Sequence, residues 1–123
     1  MLTDTTFWID LLGERSRRQS GPASRFIAMH RSARFQVSVI TWRELAEGFA
    51  SAHDLACALH GVKLLFLPQQ VAWEASRIAR EIPGQRLGEN DNWIAATARV
   101  WGLRLITRDT AFTRVPKLNL VSY

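Results

Sequence analysis

Two hydrophobic periods alternate along the chain. From Phe35 to Val39, the apolar Phe35, Val37 and Val39 are interleaved with polar neighbours, the two-residue period of a strand with one buried face. Leu2 to Asp4 reads as a shorter strand, and Lys63 to Leu67 as a compact buried one ended by Pro68. Leu103 to Thr107 and Leu118 to Val121 complete the set. Between them lie helical patterns. The first, Thr6 to Leu12, puts Phe7, Trp8, Leu11 and Leu12 on one stripe, and the next opens at Pro22. Further helices are expected over Thr41 to Ala50, Asp54 to Leu59, Gln69 to Ile82 (stopped by Pro83-Gly84) and Asn90 to Trp101 (closed by Gly102 as a left-handed cap). Thr41 and Glu44 have the spacing of a capping box. Gly13 to Pro22 is polar, carries Arg15, Arg17 and Arg18, and is expected to be a mobile loop. Trp93 and Trp101 lie on a helix apolar nearly all round and are expected in the core.

Strands separated by helices imply right-handed crossovers, a parallel sheet covered on both faces, and therefore an α/β fold. At 123 residues the chain suits a single domain spanning 1–123, and no repeat or linker divides it. Apolar residues at 47% and charged residues at 22% exclude the composition of disorder. No apolar run approaches the roughly 18 residues of a membrane span. Asp4 and Asp10 interrupt any apolar leader, and Cys57 is the only cysteine, so a reducing cytoplasm is the expected compartment. Net charge is +5, with fourteen arginines against two lysines. The planar guanidinium suits bidentate phosphate contacts, which makes nucleic acid a reasonable partner; the same arginines could equally solvate helix faces.

The candidate chemistry lies in four acids. Asp4 ends the first strand, and Asp109 follows the fourth by two residues, so both should project from the same edge of a parallel sheet, where sites of such folds gather. Glu44 sits in the first turn of the helix after the second strand, and Asp91 opens the helix that leads into the fourth. Each also has a plain structural explanation. Glu44 completes the capping box, Asp91 with Asn90 can cap its helix, Asp109 can cap the turn Thr110 to Phe112, and Asp4 can cap the first helix. Four acids on one edge would repel one another unless a cation neutralised them, and all-oxygen donors suit Mg²⁺ or Mn²⁺. His30, His53 and His60 form no metal-binding pattern and receive no role.

The motifs Leu2-Thr3-Asp4-Thr5-Thr6 with Ile9-Asp10-Leu11-Leu12, Val39 to Gly48 around Glu44, Asn90-Asp91-Asn92-Trp93-Ile94-Ala95-Ala96-Thr97-Ala98, and Gly102 to Asp109 follow one another in the order and spacing of the PIN-domain family, which the chain resembles from residue 2 almost to its end. The resemblance is to VapC-type toxin ribonucleases of VapBC toxin–antitoxin pairs. It implies a three-layer α/β/α sandwich around a mostly parallel twisted sheet of four to five strands. It further implies that Asp4, Glu44, Asp91 and Asp109 bind Mg²⁺ or Mn²⁺ and that Thr6 and Thr107 supply supporting hydroxyls. Other implied features are endonucleolytic cleavage of RNA, a VapB-like antitoxin lodged along Phe7, Trp8, Leu11 and Leu12, and a homodimer. Arg15, Arg17, Arg18 and Arg108 are candidate RNA contacts. Two alternatives share these residues: a catalytically inactive nucleic-acid-binding module of the same fold, and a metal-dependent DNA or flap-type nuclease. A receiver-type phosphorylation domain would need two adjacent acids after the first strand, and these are missing.

Overall fold

The computed structural model describes residues 1–123. Five parallel strands, β1 (Leu2–Thr3), β2 (Gln36–Ser38), β3 (Lys63–Leu65), β4 (Leu105–Ile106) and β5 (Leu120–Val121), form one sheet in the order β3-β2-β1-β4-β5. Helices α1 (Thr5–Ser16), α2 (Pro22–Met29), α3 (Val39–Ala46) and α4 (Ala52–Ala58) cover one face, and α5 (Gln69–Glu81) and α6 (Glu89–Val100) cover the other. The expected α/β/α sandwich is therefore present, with five strands. No helix is long and apolar enough to cross a membrane.

The two-residue period of the strands sorts the core into two halves. Leu2 pairs in register with Leu105, and both point toward α5 and α6 among Val71, Ile78, Ile94 and Ala95. One residue on, Val37 and Ile106 flank Thr3 and point the other way, into Phe7, Trp8, Leu11, Phe26 and Leu55. Burying these side chains contributes roughly 1.5–3 kcal/mol each, an upper estimate that the entropy of ordering the chain opposes. Thr3, buried in the central strand, is satisfied by donating to the Gln36 carbonyl (3.0 Å) and accepting from Trp8 Nε1 (2.7 Å).

Four local expectations need correction. Helix α1 does not stop at Leu12 but runs to Ser16, so Gly13 to Pro22 is not one mobile loop and Arg15 is helical. Glu14 accounts for this. It reaches from α1 to cap α2, accepting from the amides of Ala23 (3.0 Å) and Ser24 (2.8 Å), and a Cβ on Gly21 would lie 2.2 Å from its Oε1. The capping box is absent too. Helix α3 starts at Val39 because Ser38, not Thr41, is its cap, with Oγ accepting from the Thr41 amide at 3.1 Å. Asp91 and Asn90 do not cap α6, whose cap position is Gly88 without a side-chain bond. Lastly, Trp101 is 50% exposed beyond the end of α6, while Trp93 packs partly buried against the core as expected. Gly102 closes α6 with φ +59°, the left-handed conformation glycine tolerates best.

Candidate active site

The chain leaves β1 toward β2 and β3 and returns on the other side to β4, so the sheet order switches at β1, and the crevice past its carboxyl end is where α/β folds place ligands. Asp4 stands there, 3% exposed. Its Oδ1 accepts from the Phe7 amide at 2.8 Å, which starts α1, and the hydroxyl of Thr107 donates to the same carboxyl group. Burial pushes its pKa up from 3.8 to about 6; the bonds from Thr107 and Phe7 pull against that, and the negative charges of Asp109 and Asp91 add to it.

Asp109 is exposed at the lip of the crevice. Its Oδ1 accepts from the Ala111 amide at 2.7 Å, capping the short 3₁₀ turn Thr110–Arg114, and its own amide donates to Thr107 Oγ1 at 2.9 Å. One threonine hydroxyl thus joins the acids that follow β1 and β4. Asp91, half-buried in the first turn of α6, has its pKa raised by burial, then by Asp109 and Glu44. Glu44 approaches from α3. Asn90 Nδ2 donates to its Oε1 at 2.7 Å, and the Thr5 hydroxyl donates to its Oε2.

The four predicted acids therefore come together, each within electrostatic reach of another. Capping and clustering prove compatible, since Asp4 and Asp109 do both. As they stand, no three acids, histidines or thiols are grouped closely enough to hold an ion among them. The donors nevertheless fit a hard divalent cation in kind and in charge: they are all carboxylate or hydroxyl oxygens, and Asp4 and the half-buried Asp91 are held toward the neutral form first by burial and then by neighbouring negative charge.

The remaining candidates divide. Thr107 is in the site, whereas Thr6 is exposed and bonds to none of the acids; the hydroxyl that does is Thr5, one helical step away. Arg108 is paired with Asp10 at 3.2 Å and lies over the Tyr123 ring at 5.6 Å, while the Tyr123 hydroxyl donates to Asp10 at 2.8 Å. Burial, followed by the contact with Asp10, raises the Tyr123 pKa. Arg17 and Arg108 share a polar cleft of about 240 Å³; Arg15 lines a different one with Trp8 and Phe35, and Arg18 is exposed with φ +53°. Of the residues expected along an antitoxin groove, Phe7, Trp8 and Leu11 are at most 3% exposed, packed between α1 and the sheet, with Trp8 reaching the edge of the cleft that Arg15 lines, while Leu12 is half-buried; Ile9, 60% exposed, lies on the outer side. Sequence patterns missed Thr5, Asn90, Asp10 and Tyr123 because each acts through a partner at least 39 residues away.

The family profile described as "PIN domain" matches residues 1–118. No curated protein sequence matches the chain. Among solved structures, it is similar to VapBC2 from Rickettsia felis, bound to a DNA fragment from its promoter, at 17% identity over 98% of this chain and 96% of that one, with a TM-score of 0.82. VapBC-1 from nontypeable Haemophilus influenzae is similar at 26% identity over 98% and 96%, with a TM-score of 0.81. A more distant likeness is to VapC20 from Mycobacterium tuberculosis, a toxin that cleaves the sarcin-ricin loop, at 14% identity over 91% and 92%, with a TM-score of 0.62. With the parallel sheet and its acid-bearing edge in place and the profile matched over nearly the whole length, the chain belongs to the PIN domain family.

Proposed function

We propose that the chain is a divalent-metal-dependent endoribonuclease, the toxin of a VapBC-type pair. The observation that carries the reading is the gathering of Asp4, Glu44, Asp91 and Asp109 from four separate elements at the switch point of the sheet, with Asp4 and Asp91 held toward protonation by burial and by the negative charges around them. A structural role would pair such acids with arginines, and none is paired with one.

Asp4, Asp91 and Asp109 would hold Mg²⁺ or Mn²⁺, with Glu44 alongside. When bound, such an ion lowers the pKa of water and neutralises charge on the phosphate being cleaved. The chain's own residues do the rest. Thr107 fixes the spacing of Asp4 and Asp109, the Phe7 and Ala111 amides set their orientation, and the exposed position of Asp109 leaves the crevice open to a polymer. Arg108, tethered by Asp10, and Arg17, which lines the same cleft, would meet the flanking phosphates. The likeness to VapBC complexes supports a VapB-like antitoxin partner; a homodimer is what the family resemblance implies.

Incubating the purified chain with a structured RNA and with DNA of the same sequence, in Mg²⁺ or Mn²⁺, tests the reading. RNA should be cut, chelation should stop the reaction, and Asp91→Asn should be inactive. Intact RNA with both ions, or equal cleavage by Asp91→Asn, would overturn it; cleavage of DNA alone would establish the DNA-nuclease alternative.

A further inference from the structure

Both oxygens of Glu44 are taken by uncharged side-chain donors, one from each of two other helices. Asn90, the second residue of α6, donates Nδ2 to Oε1 at 2.7 Å, and Thr5, the first residue of α1, donates its hydroxyl to Oε2. Three helices thus meet at one carboxylate. The contact does nothing for the start of α6, which follows Gly88 without a side-chain cap; the Asn90 amide is spent on Glu44 and not on its own helix. Asparagine is a poor helix former, so its place in the first turn requires another explanation.

The chemistry of the donor supplies one. An amide N–H₂ donates strongly and carries no charge, so it orients a carboxylate without cancelling it. An arginine or lysine there would hold Glu44 equally well but remove the negative charge the site has to offer a cation. Asn90 is also the neighbour of Asp91, so the first turn of α6 delivers one acid and grips another.

We propose that Asn90 is a positioning residue that, with Thr5, fixes the Glu44 carboxylate at the acid cluster, oriented but still charged, ready for a divalent ion. This rests on the metal-dependent reading above and specifies what holds Glu44 in place. The effect resembles that of outer partners that orient metal ligands, whose removal typically costs roughly 10–100-fold in affinity.

The test is Mn²⁺ binding, followed by electron paramagnetic resonance of the free ion, for wild type, Asn90→Ala, Glu44→Gln and the double variant, with thermal melts of each. Asn90→Ala should weaken Mn²⁺ binding about tenfold. In the Glu44→Gln background the same change should matter less than about twofold, because Asn90 acts through Glu44. Asn90→Gln, which keeps the donor, should recover part of the loss. Unchanged affinity in Asn90→Ala overturns the proposal while leaving the metal reading intact. An equal loss in both backgrounds makes Asn90 merely structural and also overturns it. A wild type that binds no Mn²⁺ overturns the metal reading and this proposal together. Should Asn90→Ala melt below the assay temperature, Asn90→Ser takes its place with the same expectations.

Discussion

Two clusters of charged side chains sit toward opposite ends of α6, about 12 Å apart along the helix at 1.5 Å per residue, and they are built on opposite principles. Near its carboxyl end, Arg99 is 10% exposed and bridges Glu74 (2.8 Å) and Glu81 (2.7 Å) of α5, with the more exposed Arg77 on the same two acids at 3.2 and 3.3 Å. Two cations meet two anions, and the Glu81 pKa is lowered, first by the bond from Arg99. At its amino end, Asp91 joins Asp4, Glu44 and Asp109 with no cation among them, and the Asp91 and Asp4 pKa values rise. Both clusters suit the helix dipole. The balanced one ties α5 to α6; the unbalanced one leaves its acids to repel one another, a repulsion that the proposed cation would relieve. Charge balance, and not the number of acids, separates a strut from a site.

The balanced cluster breaks most severely. Arg99→Ala leaves Glu74 and Glu81 with only the more exposed Arg77 as a partner, and urea unfolding should show a loss of about 1.5–3 kcal/mol, the scale of lost hydrogen bonds to a charged group, with cleavage per folded molecule unchanged. Next comes Asp91→Asn, which should reduce RNA cleavage by more than ~100-fold, beyond the cost of losing a supporting partner, while urea unfolding shows no loss of stability.

Asp4→Asn reverses the sign of the first result. Asparagine keeps the cap of α1 and sheds the charge, so the metal-free protein should gain on the order of 2 kcal/mol at pH 7 as activity disappears. The pH dependence follows from the same group. Because its folded pKa of about 6 lies above the ordinary value of 3.8, the native state holds more protons between those values. Stability of the metal-free chain should therefore fall as pH rises from about 4 through 6, and Asp4→Asn should flatten that part of the curve. The smallest effect is expected for Arg77→Ala, whose side chain is 49% exposed; urea unfolding should register less than about 1 kcal/mol.

What was legible in the chain follows from how local each signal is. The strand–helix alternation and the acids after β1 and β4 were readable because a parallel sheet sends all its carboxyl ends to one edge. The start of α3 was not. Val39 continues the alternation of Phe35 and Val37, so it reads as strand, yet it forms the first turn of a helix that Ser38 caps. Glu14 hid in a polar stretch, since nothing local says that its carboxylate will cap the next helix. The stripe of Phe7, Trp8 and Leu11 correctly marked a buried face, but burial against the sheet and burial by a partner look alike in sequence. The bonds of Thr5 and Asn90 to Glu44 required the assembled fold.

The central claim, that the acid edge is completed by a divalent ion, is tested most directly by the melting temperature of the wild-type chain at pH 7 as Mn²⁺ is added. A ligand that binds only the folded state must raise it with concentration. The melting temperature should rise in the wild type and stay put in Asp91→Asn; a wild-type curve that does not move would rule out a metal site at this edge.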